Sequence, residues 1–164
     1  VQGTVDFISG HYFSSMLDLK ARGVAFEDIV AMRFVDFGMD VYGNGIVISA
    51  DMIKNEKAVK GFLAATVKGW KDVIANPQLG IAAAKKRDPL IDEKLEMERL
   101  QISLETNILT PYVKANGMGD VDPARFARAV KDVSEAFGLP NAPAPDKVFS
   151  NAYLPPKADR MVAK

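Results

Sequence analysis

The sequence contains no cysteine. That excludes thiol nucleophiles, thiolate zinc sites and disulfide frameworks together. It leaves the compartment open, because cytosolic and periplasmic proteins can both do without Cys. There is a single histidine, so a His-Glu-x-x-His metal helix cannot form. A Ser-His-acid triad would have to use His11, and no Gly-x-Ser-x-Gly elbow accompanies it. The glycine patterns of phosphate loops and dinucleotide sites are missing too. No apolar run approaches the ~20 residues that span a bilayer. Excess charge is absent as well: Lys+Arg and Asp+Glu both number 21, for a net charge of zero. A balanced chain has no electrostatic footprint for a nucleic-acid backbone or an anionic membrane. These absences predict a protein that is not an enzyme, with no catalytic residue, no metal, no cofactor and no nucleic-acid partner. The chain opens at Val1 with no initiator Met and no signal peptide, which points to processing or truncation at this end.

What is present is ordinary globular composition. Of 164 residues, 48% are hydrophobic and 26% charged, enough for one core, so a single domain is the default. The first third reads as α/β. Val5-Asp6-Phe7-Ile8-Ser9 alternates apolar and polar residues, as a half-buried strand does, and Gly10 ends it. From His11 to Arg22, Phe13, Met16 and Leu17 recur at helical spacing, with Gly23 as the terminating residue. A turn over 25–28 leads to a second strand, Ile29 to Phe34. Glycine and asparagine punctuate 36–44, and Gly45-Ile46-Val47-Ile48-Ser49 reads as a third strand, buried on both faces.

The remainder is helical. Asn55 caps a helix with apolar residues at Val59, Phe62, Leu63, Val67, Trp70, Val73 and Ile74, running to Asn76-Pro77. A shorter helix over 79–86 stops at Asp88-Pro89, and another runs from about Ile91 to Thr106. Asp122-Pro123 is a good N-cap and first-turn pair for a helix lined by Phe126, Val130, Val133 and Phe137. The proline-rich tail, 142–164, is expected to lie along the surface with its last residues frayed. Three strands crowded into 49 residues before a long helical region do not balance a layered domain. The chain therefore reads as a piece of something larger.

The run Val5 to Phe13 resembles the strand and aromatic loop of type II periplasmic solute-binding proteins. The likeness is to the branch taking sulfonates, taurine, nitrate or thiamine pyrimidine precursors. Val35 to Ile48 is similar to that family's crossover, Asn55 to Trp70 to its long helix, and Gly119 to Pro123 and Phe137 to Pro140 to its C-terminal helix borders. The family usually has Asn-Pro where this chain has Asn55-Glu56, and Glu also suits a first turn. The resemblance implies the C-terminal half of a two-lobe α/β fold. Residues 1–36 would end the second lobe, 37–44 form the interlobe crossover, and 45–164 return to the first lobe. It also implies the substrate-binding component of an ABC importer, periplasmic or lipid-anchored at the outer face of the cytoplasmic membrane. Its partners would be a small anionic or heteroaromatic solute and the importer's permease. A truncated chain with open sheet edges is further expected to self-associate.

Two clusters are candidate ligand contacts. Gly10, His11, Tyr12, Ser14 and Ser15 follow a strand and begin a helix, where backbone N–H groups favour an anion. Tyr12 would stack, with His11 or the serine hydroxyls hydrogen-bonding; the plainer alternative is a capped helix start with a solvated His and a buried Tyr. Asp36 and Asp40 flank the Gly38 turn. They read either as turn residues or, by the resemblance, with Tyr42 as cleft residues. Trp70 reads as core, Lys85-Lys86-Arg87 as a solvated helix end, and Glu93, Glu96 and Glu98 as a wet helix face. Two other functions stay open: a pyrimidine-synthesis-type enzyme of the same fold with His11 catalytic, and a helical interaction module.

Overall fold

A computed structural model describes residues 2–162, and among these residues the secondary structure is helical, with no strand. Eight α-helices follow one another: α1 (Tyr12–Ala21), α2 (Glu56–Ala75), α3 (Pro77–Arg87), α4 (Glu93–Ser103), α5 (Pro111–Asn116), α6 (Pro123–Ala136), α7 (Pro145–Val148) and α8 (Lys157–Arg160). A π-turn, Leu104–Ile108, extends α4. The chain divides into two compact units. The first holds the residues up to Arg33 together with Lys71–Thr110, and the second holds Phe34–Trp70 and the residues from Pro111 onward.

The expected α/β class, three strands followed by helices, is therefore overturned. The three stretches read as strands, 5–9, 29–34 and 45–49, have no pairing partner. β-branched and aromatic content favours a pleated backbone, but a strand exists only where a neighbour completes its ladder. Here the apolar side chains point to solvent: Phe7 is 84% exposed, Val30 88% and Val47 95%. The expected burial of 45–49 on both faces fails for the same reason.

The helices follow their capping chemistry closely. Asn55 Oδ1 accepts from the Ala58 amide at 3.2 Å and starts α2. Asn76 Oδ1 accepts from Gln78 N at 3.2 Å, so the residue expected to stop α2 also caps α3. Asp92 Oδ1 caps α4 through Lys94 N and Leu95 N, and Asp122 Oδ1 caps α6 through Arg125 N at 2.7 Å. Each cap satisfies amides that the first helical turn leaves without an intrahelical acceptor. Gly23, at φ +88°, follows α1 as expected, because only glycine takes that backbone conformation cheaply.

In the first unit, α4 packs against α1 and α3. Its core gathers Met16 and the fully buried Leu17 from α1, Ile81 from α3 and Leu104 from the π-turn. Gly80 lets α3 approach closely, since a Cβ there would stand 3.3 Å from Val73 and 3.4 Å from Leu100. In the second unit, Val59, Val67, Met118, Ala129 and Val162 are buried. Trp70, read as core, is half-buried. Residues 163 and 164, part of the tail expected to fray, lie outside the described residues.

The tail is fastened rather than loose. Arg160 is 6% exposed. Its Nη1 donates to the Met118 carbonyl at 2.6 Å and its Nε to the Pro155 carbonyl at 2.9 Å, while Nη2 lies 3.5 Å from Asp120. Met118 N returns a hydrogen bond to the Arg160 carbonyl at 3.0 Å. Gly117 and Gly119, both at φ +83°, shape the turn that receives it. Arg160 Cβ and carbonyl sit 3.1 Å from where a Gly117 Cβ would be.

Candidate functional site

The candidate residues fall into two groups, one in each unit. In the first unit, His11 is the N-cap of α1, and its carbonyl accepts from Ser14 N at 3.0 Å and Ser15 N at 2.8 Å. The imidazole makes no capping hydrogen bond and is exposed. It stacks instead on Phe13, with ring centroids 5.4 Å apart and planes 19° from parallel. Tyr12 is 40% exposed beside them, contrary to a buried Tyr. Gly10 permits the turn: an added Cβ would lie 2.1 Å from the Ser15 hydroxyl. Met16 and Leu17, one turn on, bury the inner face of α1 and hold this aromatic end in place.

Ser14 is engaged from behind. Arg99 of α4 donates through Nη1 to Ser14 Oγ at 3.0 Å and pairs through Nη2 with Asp18 at 3.1 Å. Its Nε reaches Glu96, also at 3.1 Å. Burial alone would lower the Arg99 pKa, but the hydrogen bonds and charges of Asp18 and Glu96 outweigh it and hold the guanidinium charged. Lys20 bonds Glu98 at 2.8 Å and sits 5.0 Å from the Phe26 ring centre. Two of the acidic residues read as a wet helix face, Glu96 and Glu98, thus tie α4 to itself and to α1. The arrangement fixes α1 on α4 and leaves His11, Tyr12 and part of Phe13 turned outward. It offers flat aromatic surface, a hydroxyl and backbone N–H groups, which suit a planar polar molecule.

In the second unit the structure brings Asp40 and Tyr42 together around Arg125, a residue the sequence reading passed over. Arg125 Nη2 pairs with Asp40 at 2.7 Å and donates to the Val41 carbonyl at 3.3 Å. Its guanidinium carbon lies 4.2 Å from the Tyr42 ring centre, and its Nε is buried without a hydrogen-bond partner. The Tyr42 hydroxyl accepts from Asp122 N at 2.8 Å. Tyr42, Phe126 and Phe149 form an aromatic run with centroids 6.0 and 5.6 Å apart. Asp36 lies in the short turn Phe34–Phe37. One signal could have flagged Arg125: a cation in a first helical turn faces an unfavourable dipole, so it needs a specific partner.

Tyr112 lies in the same unit and donates its hydroxyl to the Val121 carbonyl at 2.6 Å. Burial, with help from Asp120, pushes its phenol pKa up. An open groove of about 500 Å³ is lined by Ile46, Val47, Ile48, Met52, Val59 and Phe62. Among the described residues no cluster of His, Asp or Glu could hold a metal ion. No described helix is long and apolar enough to cross a membrane.

Comparison with known proteins sharpens the likeness seen in the sequence. Residues 1–79, just under half the chain, match the family described as NMT1/THI5 like. The chain is also 28% identical over 153 residues to the riboflavin-binding protein RibY of Chloroflexus aurantiacus. That alignment covers 89% of this chain and 41% of the relative, so the chain spans less than half the relative's length. No solved structure gives a significant match. The chain is thus similar to an NMT1/THI5-like family over its first half and to a riboflavin-binding protein over most of its length.

Proposed function

We propose that this chain contributes to the capture of a small, planar heteroaromatic solute for import. The observation that carries the reading is the stacked pair of exposed His11 and half-buried Phe13, with exposed Tyr12 beside it. The His11 and Tyr12 rings do little for the core, and with the open part of Phe13 they supply the face on which a flat ring system stacks. Gly10, His11, Tyr12 and Ser14 are the proposed contact residues, Gly10 through its backbone. Asp40 and Tyr42 are proposed to position the chain around 40–42 through Arg125. Similarity to a riboflavin-binding protein favours an isoalloxazine-like ring over taurine, a sulfonate or nitrate, none of which has an aromatic face. By the same reading the protein works outside the cytoplasmic membrane, in the periplasm or lipid-anchored, and hands its solute to an ABC permease.

Titration of riboflavin with the protein, read by flavin fluorescence, tests this. Stacking on His11 and Phe13 should quench the emission saturably, and taurine or nitrate should not compete. Phe13→Ala should weaken binding about tenfold, the loss of one ring contact worth about 1.4 kcal/mol. Quenching that is absent, or equal in wild type and Phe13→Ala, would refute the aromatic wall.

A further inference from the structure

The chain holds two Asn-Gly pairs, Asn44-Gly45 and Asn116-Gly117, and the structure gives them opposite surroundings. Asn44 and Gly45 are both exposed, in a stretch without regular structure. Among the described residues, neither has a hydrogen-bond partner. A Cβ added at Gly43 or Gly45 would meet nothing within 4 Å, so the backbone around Asn44 is uncrowded on both sides. At the other pair, Gly117 N donates to the Val113 carbonyl at 2.8 Å. Asn116 Oδ1 accepts from Lys157 Nζ at 3.2 Å. Gly117 is held at φ +83° with Arg160 against it.

We propose that Asn44 is a site of spontaneous deamidation, converting to aspartate and isoaspartate, while Asn116 is protected by the fold. The reaction needs only a free backbone amide, an unhindered following residue and water. Gly45 N loses its proton and attacks Asn44 Cγ, forming a new N–C bond and closing a five-membered cyclic imide. The Cγ–Nδ2 bond breaks, and the side-chain nitrogen leaves as ammonia after taking up a proton. Water then opens the imide at either carbonyl. Opening at the side-chain carbonyl gives aspartate, and opening at the main-chain carbonyl gives isoaspartate. One water is consumed and one ammonia released, with no change of oxidation state.

The other asparagines are poorer substrates on chemical grounds. Asn76 precedes Pro77, which has no N–H to attack with, and Asn55, Asn107, Asn141 and Asn151 precede residues with side chains that crowd the attack. At Asn116 the attacking amide must first break its hydrogen bond and the backbone must leave its pinned conformation, which requires local opening. Position 44 lies between Tyr42, tied to Asp122 and Arg125, and Ile46 to Ser49, which line the groove. Isoaspartate would insert a methylene into the main chain there and add one negative charge to a neutral protein. The ageing chemistry thus acts in the main chain just before the groove-lining residues Ile46 to Ser49.

Incubation of the folded protein at mildly alkaline pH, followed by peptide mapping, tests the proposal. Isoaspartate is counted by methyl transfer from a labelled S-adenosylmethionine with an isoaspartyl carboxyl methyltransferase. Asn44 should convert at least about tenfold faster than Asn116, the factor that about 1.4 kcal/mol of local opening supplies. In denaturant the two sites should convert at similar rates. Gly45→Ala fits without strain, because position 45 has no positive φ and open space around it. It should keep the melting temperature and suppress conversion at Asn44. Equal conversion of the two sites in the folded protein, or conversion at Asn44 unchanged by Gly45→Ala, would overturn the proposal.

Discussion

Two parts of this protein, its three apolar segments and its C-terminal tail, are held in opposite ways. Segments 5–9, 29–34 and 45–49 are rich in Val, Ile and Phe, yet most of their side chains stand in solvent. The last described residues, 155–162, are proline-rich and charged, yet Val162 and Arg160 are buried. Apolar character makes burial favourable only where a complementary surface exists to receive it. The tail finds one: the turn at 117–120 presents a carbonyl, an amide and a carboxylate that Arg160 and its carbonyl can satisfy together. Hydrogen-bond complementarity, rather than hydropathy, separates the fastened segment from the open ones.

The comparison breaks first at Arg160. Arg160→Ala removes a buried cation, takes the donors in Arg160 away from the Met118 and Pro155 carbonyls and removes the ion-pair partner of Asp120 Oδ2. A loss of about 3 kcal/mol is expected in urea unfolding; a loss below about 0.5 kcal/mol would place the tail with the open segments. Arg125 comes next. Arg125→Ala releases Asp40 and the Tyr42 face, both half-exposed, so about 1.5 kcal/mol is expected. Faster amide exchange over 40–42 should accompany it, and Arg125→Lys should not restore the stacked geometry.

Tyr112 sharpens the comparison through pH. Its folded pKa is raised by burial, so unfolding releases a proton once the pH exceeds the unfolded value of about 10. The contribution is complete below that value and is lost as pH rises through the folded pKa. Stability near neutrality should be flat in this group. Tyr112→Phe should cost about 1 kcal/mol at neutral pH for the lost hydrogen bond and reduce the alkaline slope. Val47→Thr gives the smallest effect. At 95% exposure it should change stability by less than about 0.5 kcal/mol, and a larger loss would show that this valine is covered in solution.

The longer helices were legible because their signals are local, whereas the short α5, α7 and α8 were not expected. Asn55, Asp122 with Pro123, and Gly23 act within one turn, and each performs in the structure the role its type suggests. The strand segments misled because pairing is not a local property. Val5 to Ser9 alternates correctly for a strand, but alternation says nothing about whether a neighbour is present. The candidate site was half legible. The aromatic start of α1 stood out from Gly10 to Ser14, while the stack of His11 on Phe13 is a side-chain arrangement that residue types alone do not reveal. Arg125 and Arg99 were missed because their partners lie far off in sequence: Asp40 and Tyr42 for one, Ser14 and Asp18 for the other.

Hydrogen exchange of the folded protein, with and without the heteroaromatic probe, tests the account most directly. Without the probe, amides over 5–10 and 44–48 should exchange near the unprotected rate, while Gly117 and Met118 stay protected by their hydrogen bonds to Val113 and Arg160. With the probe, exchange should slow over 10–15 and remain unchanged at 117–118. Strong protection of 5–10 and 44–48 without the probe, or no response over 10–15 with it, would contradict the account.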